Sequence, residues 1–265
     1  MADDALKSRL DRGEVAYGVV TAWPDPDLVE AAGACGFDFA FIDAEHGALD
    51  IRTCAELIRA AACGGMTPIV RVPYADVRGV YAYLDAGAQG LIFPHVRTAA
   101  DAAAAVAACL FPPDGLRGAF STSRAARYGT AYQGGEYLRE ANAAVWPIPL
   151  IEDLDAVDAL DGILDVPGVR AFFIGPGDMT LSRLTPQGPR GDPVERVVDR
   201  AIATGVRKGK IVATVAGTPA AAAALVAKGV RVIAVGAPSL VTAAYRAYLE
   251  AAPRTPQIGG RDAAR

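Results

Sequence analysis

An α/β fold, specifically a (β/α)8 TIM barrel, is predicted by three observations. Eight short apolar runs recur along the 265 residues, helical segments with readable ends separate them, and about 250 residues is the usual length of such a barrel. The runs fall at residues 17–22, 39–43, 68–72, 90–94, 146–151, 171–174, 211–215 and 230–235. Most are apolar nearly throughout rather than alternating, as parallel strands covered on both faces are. An open doubly wound sheet is the alternative for the same alternation. The expected organisation is one barrel domain over residues 1–251, followed by a polar stretch at 252–265, rich in Pro, Gly and Arg, which reads as a disordered tail.

The segments between the runs carry their own punctuation. Asp25-Pro26 and Thr218-Pro219 each read as an N-cap followed by proline at the first helical position. Thr98-Ala-Ala-Asp101 offers a capping-box-like start, with aspartate in place of the longer glutamate. Gly36, Gly64, Gly87, Gly209 and Gly229 fall where a helix should stop before the next strand. Residues 111–144 break the rhythm. They hold Arg117, Arg124, Arg127, Tyr128 and Gly134-Gly135, and a connection this long in a compact barrel reads as a lid, a binding loop or a subunit contact.

Composition excludes several partners. Apolar residues make up 52% and charged ones 21%, and the net charge is −4, so no basic face is expected for nucleic acid or an anionic membrane. No apolar run approaches the length of a membrane span. The first residues, Met-Ala-Asp-Asp, lack the regions of a secretory signal, and a cytoplasmic protein is expected. Cys35, Cys54, Cys63 and Cys109 show neither Cys-x-x-Cys nor zinc-type spacing and read as small reduced core residues.

In a barrel, the residues after each strand face one another at the C-terminal mouth, where catalysis is housed. Residues 41–47, Phe-Ile-Asp-Ala-Glu-His-Gly, end the second run in Asp43, Glu45 and His46, and His46 is one of only two histidines. The third run ends with Arg71, the fourth with Pro94-His95, the fifth with Glu152-Asp153, and the sixth is followed by Gly175-Pro176-Gly177-Asp178. Glu152 and Asp178 form a natural pair for a hard divalent ion, which takes one or two carboxylates plus waters and substrate oxygens. Such an ion chelates a 2-oxo acid and stabilises its enolate. Arg71 would orient the substrate oxygens, and His46 would move a proton with Asp43 or Asp85 orienting its ring. Each residue also has a plain structural reading. Glu152-Asp153 opens a helix favourably, Asp178 fits a turn, Arg71 an ion pair and His46 a core position. Their common placement at strand ends favours the functional reading. His95 reads equally as a rim residue or a substrate contact. The only lysines, Lys7, Lys208, Lys210 and Lys228, sit at no strand C-terminus, which argues against a Schiff-base mechanism.

These segments, in this order, resemble the HpcH/HpaI aldolase family of metal-dependent class II pyruvate aldolases, of the 4-hydroxy-2-oxoheptanedioate aldolase kind. The matching pieces are Gly-Phe-Asp-Phe-Ala-Phe-Ile-Asp43-Ala-Glu45-His46, Pro-Ile-Val-Arg71-Val-Pro and Leu84-Asp85-Ala-Gly-Ala-Gln-Gly-Leu-Ile-Phe-Pro94, then Phe111-Pro-Pro-Asp-Gly-Leu-Arg117-Gly, Arg124-Ala-Ala-Arg127-Tyr128, Leu150-Ile-Glu152 and Phe173-Ile-Gly-Pro-Gly-Asp178-Met-Thr. They span roughly residues 15–250.

The resemblance implies a barrel whose last helix is exchanged with a neighbour, in a homohexamer built as a trimer of dimers. It implies Glu152 and Asp178 as ligands of Mg²⁺, Mn²⁺ or Co²⁺, with no organic cofactor. Arg71 matches the pyruvate-binding arginine and His46 the catalytic base, with Asp43 or Asp85 as its partner. Amides around Gly177 and Asp178 would hold the substrate carboxylate, with Glu45 and Arg117 as further substrate contacts. The implied reaction cleaves or forms a 4-hydroxy-2-oxo acid through a pyruvate or hydroxypyruvate enolate and an aldehyde. The alternatives are oxaloacetate decarboxylation or another enolate carbon–carbon bond formation, then a CoA-thioester lyase or a catalytically silent barrel. Two residues depart from the family pattern: Leu150, where many members have glutamine, and Val20, where some have tryptophan. Both make the pocket less polar or differently shaped.

Overall fold

Inward and outward side chains alternate along a strand, and that alternation closes this sheet. The computed structural model describes residues 5–73, 79–132, 134–184 and 192–253. Its strands are β1 (Ala16–Thr21), β2 (Phe39–Asp43), β3 (Thr67–Arg71), β4 (Gly90–Phe93), β5 (Trp146–Ile151), β6 (Ala171–Ile174), β7 (Ile211–Val215) and β8 (Val232–Gly236). Each pairs in parallel with the next, and β8 returns to β1, so the sheet is a closed barrel. The predicted (β/α)8 architecture is what forms.

Phe39 and Phe41 of β2, Ile69 of β3, Ile92 of β4, Ile148 and Leu150 of β5, and Phe173 of β6 pack into the barrel interior. The residues between them, such as Ala40, Ile42, Val70, Leu91, Ile151 and Phe172, pack outward against the helices. Both faces are therefore buried, which accounts for the unbroken apolar runs.

A short helix, Ala5–Asp11, which the sequence reading did not anticipate, closes the N-terminal end of the barrel. Its Leu6 and Leu10 join the interior cluster, and the Leu6 amide donates to Thr67 Oγ1 at 3.1 Å.

The expected helix signals act as read. Asp25 caps Pro26–Ala34 and Thr218 caps Pro219–Ala227, each accepting from a first-turn amide. Thr98 and Asp101 form the full capping box of helix Ala99–Cys109 despite the shorter aspartate. Gly36, Gly87, Gly209 and Gly229 take positive φ after their helices, the conformation glycine reaches at least cost. Gly64 is a C-cap at φ −75, and the positive φ falls on Gly65.

Two expectations need correcting. The connection at 111–144 holds a ten-residue helix, Gly135–Ala144, of which only Tyr137 is buried. It joins the end of a helix to the start of β5, so it lies at the face opposite the mouth. Of the cysteines, Cys54 and Cys109 are buried core residues, but Cys35 and Cys63 are exposed, because they stand at the last turns of their helices. All four are free.

Of the expected tail, residues 254–265 lie outside the described residues. No helix among the described residues is long and apolar enough to cross a membrane.

Helix Val194–Arg207 packs on β6 and β7 through Gly205, where an added Cβ would lie 2.5 Å from the Phe172 ring and 2.7 Å from Val212. Gly205→Ala raises helix propensity by about 1 kcal/mol but overpacks this contact, at a cost of about 1–3 kcal/mol. Net destabilisation is expected, read as a lower midpoint in thermal or urea unfolding. A higher midpoint would show that the helix shifts freely on the sheet.

Candidate active site at the C-terminal mouth of the barrel

The strand period that fills the interior also builds the mouth. Phe39 and Phe41 point inward, so the next inward position of β2 is Asp43; on β3 it is Arg71 after Ile69, and beyond β5 it is Glu152 after Ile148 and Leu150. Asp43 and Arg71 are register partners across β2 and β3. The Arg71 guanidinium donates through Nε to Asp43 Oδ1 at 3.0 Å and through Nη2 to Asp43 Oδ2 at 2.5 Å, the two-pronged geometry that suits arginine and carboxylate. Its Nη1 lies 3.2 Å from Glu45 Oε2.

Asp43 does a second job. Its Oδ1 accepts the backbone amides of Glu45 and His46 at 3.1 and 3.2 Å, tying the turn that carries both side chains. Burial pushes the Asp43 carboxyl up, but the Arg71 hydrogen bonds and charge, with these amides, hold it below the ordinary range. The His46 side chain is 63% exposed, and its Nε2 is 3.9 Å from Glu45 Oε2. Glu45 Oε2 is itself buried and has no hydrogen-bond partner.

Glu152 is 2% exposed. Its Oε1 accepts the His95 amide at 2.9 Å and lies 3.4 Å from His95 Nδ1. Burial raises its carboxyl to about 7; His95 opposes the rise, while the charges of Asp178 and Glu45 add to it. Asp178 stands in the first turn of the short helix Pro176–Ser182. Beside it Gly177 has open space where a side chain would project, and a Cβ at Gly175 would press to 2.9 Å from Glu152 Cβ. Leu150, 3% exposed, is the apolar floor under Glu152, with Val20 half-buried in the same interior cluster.

The chemistry of these donors fits a hard divalent ion. Glu152 and Asp178 offer oxygen alone, and a carboxylate whose proton affinity is raised by burial and by neighbouring negative charge is stabilised equally by a cation. Among the described residues no group of three or more His, Cys, Asp and Glu is placed to hold a metal ion; a site of two carboxylates would leave positions for water and substrate.

The structure brings Asp43, Glu45, His46, Arg71, Glu152 and Asp178 to one mouth, and adds His95 and Asp153, which sequence reading left unassigned. It does not bring Asp85 or Arg117 there. Asp85 lies near the lower end of helix Tyr81–Ala86 and accepts from Arg117 Nη2 at 2.8 Å. Arg117 is buried, with its guanidinium 4.4 Å above the Phe111 ring. Both belong to the opposite face, beside a cavity of about 720 Å³ lined by Gln89, Arg117, Arg124, Arg127, Tyr137 and Glu140. Within one chain, Asp85 therefore pairs with Arg117 rather than His46, and Arg117 lies away from the mouth of its own barrel. Asp43 likewise acts on His46 through the backbone amide, with its carboxylate oxygens shared by Arg71. Lys208, Lys210 and Lys228 make their contacts with Asp165, the Val169 carbonyl and Asp199, and Lys7 lines the lower cavity, so no lysine serves the mouth.

A closed (β/α)8 barrel with an arginine, a histidine and a carboxylate pair at its C-terminal mouth suits a carbon–carbon lyase of the aldolase class, the class of the chain's named relatives. The chain belongs to the HpcH/HpaI aldolase/citrate lyase family, whose sequence profile matches residues 18–243. It is 34% identical over 203 residues to the hydroxypyruvate/pyruvate aldolase of Sagittula stellata, covering 77% of this chain and 78% of that protein. It is 31% identical over 242 residues to the 2-keto-3-deoxy-L-rhamnonate aldolase of Escherichia coli K12, covering 91% and 90%. Among solved structures it is similar to a member of the same family from Burkholderia cenocepacia, with a TM-score of 0.85 and 37% identity over 93% of this chain and 98% of that one.

Burial of the Glu152 charge has a measurable signature. The folded carboxyl is raised from 4.5 to about 7, so the folded state holds a proton that the unfolded state has lost, and stability falls as pH rises across that window. Glu152→Gln removes the charge while keeping an acceptor for the His95 amide. In metal-free protein it is expected to match wild type near pH 4.5 and to exceed it at pH 8 by roughly 1–3 kcal/mol, measured by urea unfolding at both pH values. A difference that does not grow with pH would place the Glu152 charge in water.

Proposed function

We propose that this chain is a divalent-metal-dependent aldolase that makes or breaks 4-hydroxy-2-oxo acids through the enolate of pyruvate or hydroxypyruvate, with an aldehyde as the second partner. The observation that carries the reading is the meeting of buried Glu152 with Asp178, opposite an Arg71 fixed in orientation by Asp43. The names of the Sagittula stellata and Escherichia coli relatives support the 2-oxo acid class.

In this reading Glu152 and Asp178 hold Mg²⁺, Mn²⁺ or Co²⁺, and no organic cofactor takes part. The ion supplies Lewis-acid stabilisation of the charge that develops on the keto oxygen. Arg71, its guanidinium locked from beneath by Asp43, presents its remaining N–H groups to the substrate oxygens. The open space at Gly177 admits the substrate carboxylate to the amides of the Pro176–Ser182 turn. His46, carried on the turn that Asp43 ties, moves the proton at C3 of the donor and exchanges it with solvent. Glu45 Oε2, buried and without a hydrogen-bond partner, accepts a donor brought in with substrate. The apolar floor of Leu150 and Val20 suits the C3 end of a small donor.

The chain is further proposed to work as a homohexamer, a trimer of dimers, in the cytoplasm. Its cysteines are free, as in a reducing compartment. Its last helix, Ala237–Ala251, leaves Leu240, Tyr245, Tyr248 and Leu249 exposed, a face that exchange with a neighbouring subunit would cover.

Deuterium exchange at the C3 methyl of pyruvate, followed by NMR in D₂O, tests the enolate step before the aldehyde is known. Metal-stripped protein is expected to be inactive and to recover with Mg²⁺ or Mn²⁺, and Arg71→Ala to lose about 100-fold. Exchange that continues unchanged after stripping sinks the metal reading, and no exchange with pyruvate or hydroxypyruvate under any metal sinks the aldolase reading. Light scattering on the same preparation is expected to give a mass six times that of the chain, and a monomeric mass would refute exchange of the last helix.

A further inference from the structure

His95 is a non-glycine residue held at φ 53, a left-handed conformation that costs roughly 1 kcal/mol or more and persists only where surrounding contacts enforce it. Those contacts form a chain. The His95 amide donates to Glu152 Oε1 at 2.9 Å, and its Nδ1 lies 3.2 Å from Asp153 Oδ2. Asp153 is 9% exposed and is pinned on its other oxygen by Arg97 Nη2 at 2.7 Å. The Arg97 amide donates in turn to Asp101 Oδ2 at 3.1 Å, the same oxygen that closes the capping box with Thr98. An unbroken path thus runs from the N-terminus of helix Ala99–Cys109 to the Glu152 carboxylate.

We propose that His95 and Asp153 are positioning residues for Glu152: they hold its Oε1 from the β4 side and thereby present Oε2 to the metal. A carboxylate accepts only, so the proton on Nδ1 belongs toward Asp153, and the same nitrogen stands 3.4 Å from Glu152 Oε1. The backbone donor of His95 therefore holds Oε1 of Glu152 directly, while the ring, fixed by Asp153, stands beside the same edge, and the left-handed turn is what makes that possible. The other oxygen, Oε2, points toward Gly175, three residues before Asp178. The hydrogen bond to Oε1 selects one orientation of the carboxylate before any ion arrives, which is how outer residues of a metal site raise affinity.

The inference rests on the reading of Glu152 as a metal ligand, and the test separates the two. Mn²⁺ binding to stripped full-length protein is measured from the electron paramagnetic resonance signal of free Mn²⁺, with Glu152→Ala, His95→Gly, His95→Asn and Asp153→Ala as variants. His95→Gly keeps a residue at ease at φ 53 while deleting the imidazole, so its fold is expected to survive if Asp153→Ala fails to fold. Asparagine tolerates the left-handed region and carries an amide donor. His95→Gly and Asp153→Ala are expected to weaken Mn²⁺ about 10–100-fold, with His95→Asn recovering most of the loss. At saturating Mn²⁺ the pyruvate exchange rate and KM are expected to return close to wild type, because the defect lies in holding the ion. Unchanged Mn²⁺ affinity in His95→Gly, with Glu152→Ala impaired, overturns the positioning role and leaves the metal reading standing. Unchanged affinity in Glu152→Ala overturns the reading beneath it.

Discussion

The two-residue period of strands β2, β3 and β5 is the constraint on which the mouth depends. Interior packing selects which face of each strand turns inward, since Phe39, Phe41, Ile69, Ile148 and Leu150 must all fill the barrel. Once that choice is made, the next inward position up each strand is charged: Asp43, Arg71 and Glu152. A slip of one residue would turn those groups toward the helices and Ile42, Val70 and Ile151 into the barrel. Several buried side chains therefore hold the register of each charged one. The geometry of the mouth is a by-product of close packing below it.

Charge balance at the mouth follows from that geometry. Arg71 is the arginine that faces Asp43 and Glu45, and its charge is drawn mainly onto Asp43 by two hydrogen bonds. Among the described residues Glu152 has His95, rather than an arginine or lysine, as its ion-pair neighbour, and burial makes its charge costly. Arg97 does not relieve it, because its guanidinium is committed to Asp153. A proton or a cation must fill the gap. An Arg71 firmly neutralised from beneath keeps a fixed orientation, which favours recognition of substrate oxygens over electrostatic cancellation of the acidic pair.

Much of this was legible in the sequence, for physical reasons that differ by element. β2, β5, β6 and β7 begin and end where their apolar runs do, because strands covered on both faces are apolar nearly throughout. β8 starts two residues late because Arg231 turns its guanidinium to the carbonyls of Leu10 and Glu14. The helix Ala5–Asp11 escaped notice since two leucines four apart are too short a periodic signal, and Gly135–Ala144 buries too little to announce itself. The site residues were visible as charges at strand ends. Their partners were not, because the Asp43–Arg71 contact spans 28 residues and that of Arg117 with Asp85 spans 32. One signal was available and unused: a connection that follows a helix and precedes a strand must lie at the N-terminal face, which already removed Arg117 from the mouth of its own chain.

The two ends of the barrel therefore divide their labour. At the N-terminal end, several polar groups are paired within the fold, although Gln89 Oε1 and Arg117 Nε are buried without a hydrogen-bond partner and Arg127 and Tyr128 stand at positive φ. Leu6 and Leu10 plug the interior, Asp85 and Arg117 neutralise one another, and Arg231 satisfies backbone carbonyls. At the C-terminal end, the same chain tolerates a buried carboxylate with a raised proton affinity, a buried glutamate oxygen without a hydrogen-bond partner, and a histidine in a left-handed turn. Each of these costs stability, and each is held by neighbours whose own positions come from the packed strands and capped helices. Unsatisfied groups and left-handed residues thus occur at both ends, and at the C-terminal end they converge on one cluster of carboxylates that the rigid scaffold supports. The barrel provides the rigidity, and the strand ends carry the strain.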